Sequence, residues 1–197
     1  MKLYIIALIL LLGSISGCNT PDSKTAKTTS LNRTGIFFIT GACGCGKSTL
    51  TKLLKEKLSE NLFAVYDFDE IGVPPGADAT WRQAATDDWL KQAAENVKKA
   101  KSTVICGQSS ATEIINSPTK PNSPLYFGFM KISDELIQQR LQERAWNTKL
   151  VQDNINWAHR LEKEVHNQKN HKIVDCSVNT PEHIADEFVT WILKETD

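Results

Sequence analysis

The chain has 197 residues, 41% hydrophobic and 23% charged, with 23 basic residues balanced by 23 acidic ones. Residues 36–197 suffice for one domain with a proper core, and the charge balance excludes the basic footprint of a nucleic-acid surface. No internal repeat or charge block occurs, and the cysteines have no spacing of a disulfide framework.

The chain opens with Lys2, an uncharged run from Leu3 to Leu12, and Gly13-Ser14-Ile15-Ser16-Gly17-Cys18. A basic start, an apolar core too short to span a bilayer and a small-residue exit describe a secretory signal over residues 1–18. Its Ile-Ser-Gly-Cys ending resembles a bacterial lipobox, in which cleavage precedes the cysteine and that cysteine is lipidated. Residues 19–34 are polar and read as a flexible tether, so the expectation is a membrane-associated lipoprotein anchored through Cys18. Outside the inner membrane, however, ATP is lacking and thiols are at risk of oxidation. A start inside the chain, for instance at Leu31, would instead give a cytoplasmic protein. Lys2, Lys24, Lys27 and Arg33 stand against Asp22 alone before residue 36, which leaves the remaining domain slightly acidic.

The domain is expected over residues 35–197. Its first strand is the apolar run Ile36-Phe37-Phe38-Ile39, and Leu50, Leu53, Leu54 and Leu58 carry a helical period soon after. Between them lies Gly41-Ala42-Cys43-Gly44-Cys45-Gly46-Lys47-Ser48, a complete G-x-x-x-x-G-K-[ST] loop followed by Thr49. Strand, glycine loop and helix form the context this motif requires. Glycines let the backbone approach a ligand closely, and loop N–H groups with the positive end of the helix cradle phosphates. Lys47 then reaches the terminal phosphates as a point charge, and the Ser48 hydroxyl can join a Mg²⁺ shell. The octet predicts binding of a nucleoside triphosphate.

A second strand, Leu62 to Tyr66, delivers Asp67-Phe68-Asp69-Glu70 at its end, and a loop follows over Gly72–Gly76. Trp81 to Lys101 reads as a helix, Thr103–Cys106 as a third strand closed by Gly107-Gln108, and residues 109–124 as loop with one helical turn near Ala111–Ile115. Leu125–Met130 is the fourth strand. Ser133 is placed to cap a helix running to Arg144. A break near Asn147 precedes a long helix from about Lys149 to Asn167. Lys172–Val174 is a fifth strand, and Thr180-Pro181-Glu182 opens the last helix.

Strands separated by helices imply crossover connections and a parallel sheet covered on both faces, hence a three-layer α/β domain. Ligands of such a sheet bind at the carboxyl ends of its strands. The glycine loop, Asp67-Phe68-Asp69 and Gly107-Gln108 all sit at such ends, so three polar clusters converge on one edge.

Phosphoryl transfer asks for a phosphate cradle, a cation site, a group that orients the nucleophile and positive charge over the transferred group. Asp67 and Asp69, two apart at a strand end, point the same way by the strand's period. One can hold Mg²⁺ and the other accept a substrate proton, unless they are ordinary strand-end acids or a helix cap. Arg82 is a candidate clamp for an anionic substrate, with a solvated helix face as the alternative. Arg140 and Arg144, four apart, could close over the phosphates as a lid, or pair with Glu143 or Glu135 on the surface. Trp146, in that lid, is a candidate for nucleotide contact. His159, His166, His171 and His183 have no metal-ligand spacing.

On these motifs the chain resembles the small P-loop kinases, the group of shikimate kinase, gluconate kinase and the nucleoside monophosphate kinases, over nearly all of residues 36–197. Residues 41–49 match their phosphate loop, and Tyr66–Ile71 is similar to the acidic motif after their second strand. Arg82 falls where shikimate kinase has a substrate-binding arginine, and Gly107-Gln108 where it has a glycine-rich substrate loop. Residues 140–144 resemble the helix leading into their lid. The resemblance implies the P-loop nucleoside triphosphate hydrolase fold with a five-stranded sheet in the order 2-3-1-4-5. It also implies ATP, Mg²⁺ at Ser48 and Asp67, adenine contacts around Asp175–Thr180, and transfer to a hydroxyl of a small metabolite. Asp69, Arg82, Gly107 and Gln108 would bind that acceptor. Lys47, Asp67, Asp69, Arg140 and Arg144 would carry the chemistry.

The departures are a single glycine where shikimate kinase has a run, and the absence of its lid arginine followed by proline. Only Arg82, Arg140, Arg144 and Arg160 lie beyond residue 36, which argues against a phosphorylated acceptor. Two other readings remain: a nucleoside monophosphate kinase-like enzyme, and a membrane-tethered nucleotide-binding module without activity. A kinase needs both Asp67 and Asp69 at the pocket, whereas a binder needs only the cradle.

Overall fold

The first strand, β1 (Ile36–Gly41), is buried along its whole length, as a strand with helices on both faces must be. Its side chains alternate between two cores: Phe37 and Ile39 enter one, Ile36 and Phe38 the other. The computed structural model describes residues 31–197. The remaining strands are β2 (Phe63–Asp67), β3 (Ser102–Cys106), β4 (Leu125–Lys131) and β5 (His171–Asp175), and all pairings are parallel in the order β2-β3-β1-β4-β5. Fold and strand order are those expected from the sequence.

Among the described residues six helices cover the sheet: α1 (Lys47–Lys57), α2 (Ala79–Lys98), α3 (Ala111–Ile115), α4 (Asp134–Gln142), α5 (Thr148–His166) and α6 (Pro181–Thr196). The first core joins Leu50 and Leu54 of α1 to Phe188, Trp191 and Ile192 of α6. At its centre Phe37 stacks on Tyr126 with ring centroids 4.5 Å apart and meets the edge of Trp191 at 5.3 Å. The second core sets Trp89, Leu90 and Ala93 of α2 beside Leu161 and Val165 of α5.

Short polar residues start most helices. Asp78 caps α2, Ser133 caps α4, Asn147 caps α5 and Thr180 caps α6, each accepting a backbone N–H two or three residues into its helix, an arrangement worth about 1 kcal/mol per helix. Ser133 thus has its expected role, and the expected break near Asn147 is the start of α5. The five-residue α3 carries a full capping box between Ser110 and Glu113. Helix α1 differs. Its cap is Gly46 at φ 104°, with no side-chain hydrogen bond, so its first N–H groups remain open at the strand ends.

The expected signal segment and most of the expected tether lie outside the described residues. The membrane-associated location is corrected: among the described residues no helix is long and apolar enough to cross a membrane. The chain is already docked at Asn32 and Arg33, whose N–H groups donate to Thr196 O at 3.1 and 3.3 Å.

Candidate active site

The glycine loop turns back at the end of β1. Gly44 at φ 78° and Gly46 at φ 104° occupy the left-handed region, which glycine enters without steric cost. The loop's position is fixed from α4 and α5. Arg140 Nη1 donates to Gly44 O at 2.9 Å, and the Cys43 N–H donates to Asn154 Oδ1 at 3.2 Å. Lys47 Nζ folds onto the loop carbonyls, 2.8 Å from Ala42 O and 3.1 Å from Gly41 O.

Beside the loop is a cavity of ≈ 260 Å³. Cys43, Gly44, Gly46, Lys47, Ser48 and Thr49 line one side, and Asp67, Asp69, Gly107, Gln108 and Arg144 the other. The three expected clusters therefore meet. The reason for the acids differs from the period-of-two argument. Asp67 ends β2, and Asp69 lies in a 3-10 turn over Phe68–Ile71, with its N–H donating to Asp67 Oδ1 at 3.1 Å. Asp67 is thus both a cavity acid and the cap of that turn. Burial, then the adjacent Asp67 charge, push the Asp69 carboxyl above the usual aspartate range, while Lys47 pulls it back.

Two contacts seat the turn. Trp89 Nε1 donates to Phe68 O at 3.0 Å. Gly107 lies so close to Phe68 that a Cβ built there would sit 2.1 Å from Phe68 Cβ. Gly107 is accordingly the residue that lets the β2 end approach the β3 end.

A second cavity, ≈ 210 Å³, lies across the loop. Cys45, Gly46, Thr49, Arg140, Cys176 and Asn179 are among its walls. Arg140 and Arg144 thus serve different cavities, because α4 ends at Gln142 and Arg144 belongs to the turn beyond it. Neither pairs with Glu143 or Glu135 among the ion pairs of the described residues. Trp146 packs against the first core.

Arg82 is not in the wall of the cavity beside the acids. Its Nε lies 2.9 and 3.1 Å from the two carboxylate oxygens of Glu113, and its Nη2 lies 2.7 Å from Oε1. Its guanidinium also stacks over Trp157 at 4.8 Å. Neither partner is marked in the sequence: Glu113 is a helical glutamate, and Trp157, at helical spacing among apolar neighbours, reads as core and does pack against the second core. Asn154 is not marked as a site residue either. That residue is 8% exposed, and its position three residues after buried Val151 in α5 was the available signal.

The donor set fits Mg²⁺. Ser48 and Asp67 would offer hard oxygen ligands from the lining of one cavity, and the repulsion between Asp67 and Asp69 is of the kind a divalent cation relieves.

A family model described as "AAA domain" matches residues 37–162, well over half of the chain. The chain belongs to the AAA domain family. The matched residues run from β1 through the phosphate loop to most of α5. No curated protein matches the chain in sequence. Among solved structures, a sugar kinase from a Janibacter species is similar at 18% identity and a TM-score of 0.60, covering 81% of this chain and 94% of that one. A gluconokinase from Sinorhizobium meliloti aligns at 16% identity and a TM-score of 0.58, covering 82% and 93%. Shikimate kinase from Aquifex aeolicus aligns at 18% and 0.55, covering 81% and 97%. This member of the AAA domain family therefore has the fold of the small P-loop kinases, spanning nearly their whole length.

Proposed function

We propose that the chain is an ATP- and Mg²⁺-dependent phosphotransferase that acts on a hydroxyl of a small metabolite. One observation carries the reading: Asp67, Asp69, Gln108 and Arg144 share a cavity with the phosphate loop. A module that only bound nucleotide needs the cradle alone, whereas a kinase needs both Asp67 and Asp69 at the pocket.

In this reading the loop N–H groups and Lys47 hold the β- and γ-phosphates, with Lys47 swinging from the loop carbonyls to the ligand. Ser48 and Asp67 would hold Mg²⁺, which supplies charge neutralisation on the phosphates. Asp69 accepts the proton of the acceptor hydroxyl as its oxygen attacks the γ-phosphorus. An O–P bond forms to the acceptor, the bond from the γ-phosphorus to the bridging oxygen breaks, and ADP leaves with that electron pair. A carboxyl raised above the usual aspartate range is the better proton acceptor. Arg144 lies over the transferred group and offsets its charge. Arg140 and Asn154 fix the loop from behind. The cavity at Cys176 and Asn179 is where the nucleoside end would lie.

The test is ADP release by the full chain with Mg·ATP across small hydroxyl compounds. Lys47→Ala should lower the rate roughly a hundredfold or more with the fold intact. Wild-type turnover in that variant would sink the assignment.

A further inference from the structure

We infer that the acceptor is an uncharged polyhydroxyl compound, not a carboxylate or a phosphate ester. The inference rests on the phosphotransferase reading above and names the substrate class of the same cavity.

An anionic acceptor needs a cation to meet it. The cations in the cavity wall are Lys47 and Arg144. Lys47 belongs to the phosphate loop and Arg144 is the cation assigned to the transferred group, so a bound triphosphate with four negative charges engages both first. Arg140 stands behind the loop, donating to Gly44 O at 2.9 Å and lining the other cavity, and the charge of Arg82, the arginine expected to clamp an anionic substrate, is already spent on Glu113. Glu113 accepts three contacts of 3.1 Å or less from that guanidinium. Glu113 is itself held, because its Oε2 accepts the Ser110 N–H at 3.0 Å within the cap of α3. The Trp157 ring covers the guanidinium at 4.8 Å. The Arg82 and Glu113 side chains retain 26% and 15% exposure, so parting them would leave two poorly solvated charges.

With Asp67 taken up on the metal side, what remains for the acceptor is Asp69, Gly107 and the Gln108 amide. The Asp69 carboxylate accepts from hydroxyls, and the Gln108 amide both donates to them and accepts from them. The Asp69 carboxylate repels an anion, and such like-charge placement is how a site rejects a wrong partner. A sugar, polyol or nucleoside meets this wall without an unpaired charge. A sugar acid or sugar phosphate does not.

The experiment uses acceptors matched in skeleton and differing in charge: sorbitol, gluconate and sorbitol 6-phosphate; ribose, ribonate and ribose 5-phosphate; adenosine and AMP. ADP release by the full chain is measured for each, with Lys47→Ala as the blank. In at least one set the neutral member should lead the anionic ones in kcat/KM by roughly tenfold or more. Glu113→Gln frees Arg82 and should narrow that ratio. Arg82→Gln, which does not depend on the α3 cap surviving, should leave the ratio unchanged. Lys47-dependent release that is faster with the anionic members would overturn the inference and leave the phosphotransferase reading standing. A collapse of anion turnover in Arg82→Gln would do the same. ATP bound without release on any acceptor overturns the phosphotransferase reading, and the inference with it.

Discussion

Phe68 and Gly107 are in contact so close that no side chain fits between them: a Cβ on Gly107 would lie 2.1 Å from Phe68 Cβ and 2.7 Å from its Cγ. Phe68 stands between the two cavity acids, and Gly107 precedes Gln108. The contact therefore sets the spacing of the acceptor wall. Gly107→Ala should destabilise the fold by about 1–3 kcal/mol through overpacking. It should also lower kcat/KM roughly a hundredfold, because a displaced turn carries Asp69 with it. Denaturant midpoints and steady-state rates check the two effects, and an unperturbed rate would show that the turn does not position Asp69.

Arg140 acts on the loop at a distance from the acceptor wall. Its Nη1 holds Gly44 O at 2.9 Å, and it lines the cavity on the far side of the loop from Asp69. Arg140→Ala should therefore raise KM for ATP by roughly tenfold, the effect of one charge-assisted hydrogen bond. The KM of the acceptor should move far less. Equal losses for both substrates would give Arg140 a different role.

Much of this is legible in the amino-acid sequence itself. The phosphate loop and the five strands follow from apolar runs and glycine spacing, Ser133 marks a helix start by its own hydrogen-bonding chemistry, and the break near Asn147 proves to be the cap of α5. The convergence of Gly41–Ser48, Asp67, Asp69 and Gly107-Gln108 follows from the topology of a parallel sheet. Arg82 was not legible. Its partner Glu113 is 31 residues away and its stacking ring, Trp157, farther still. No local pattern encodes a long-range pair. The separation of Arg144 from Arg140 was not legible for a related reason. The four-residue spacing from Arg140 suggested one helix face, but α4 stops at Gln142 and Ala145 adopts φ 60°, which turns the two arginines toward different cavities.

Asp69 should cost the fold stability where it serves the chemistry. Its carboxyl is raised in the folded state, by burial first and by Asp67 second. The stabilising contribution of the protonated form is complete below the unfolded aspartate value, and it is lost as pH rises through the higher folded value. In metal-free buffer at neutral pH, Asp69→Asn should thus be at least as stable as the wild type. The difference should vanish in acid, below the ordinary aspartate range. Urea midpoints across that range check it, and a variant clearly less stable at neutral pH would contradict the account.

The buried thiols should be inert. Burial pushes Cys106 and Cys176 up to about 12, so neither forms the reactive thiolate at pH 8. Iodoacetamide should spare both until the protein is denatured. The half-buried Cys43 lies in the phosphate-loop wall, and Mg·ATP should slow its labelling. Peptide mass spectrometry reads all three sites, and rapid labelling of Cys106 in the native protein would argue against the core as described.

The central claim is that the acids opposite the phosphate loop make this an enzyme and not a nucleotide-binding module. The direct measurement is acceptor-dependent ADP release by the full chain, beside Lys47→Ala and Asp69→Asn, with ATP binding followed in parallel. The account predicts release in the wild type, near-complete loss in both variants, and retained ATP binding in Asp69→Asn. Release that persists undiminished in Asp69→Asn, or ATP binding with no release on any acceptor, would contradict it.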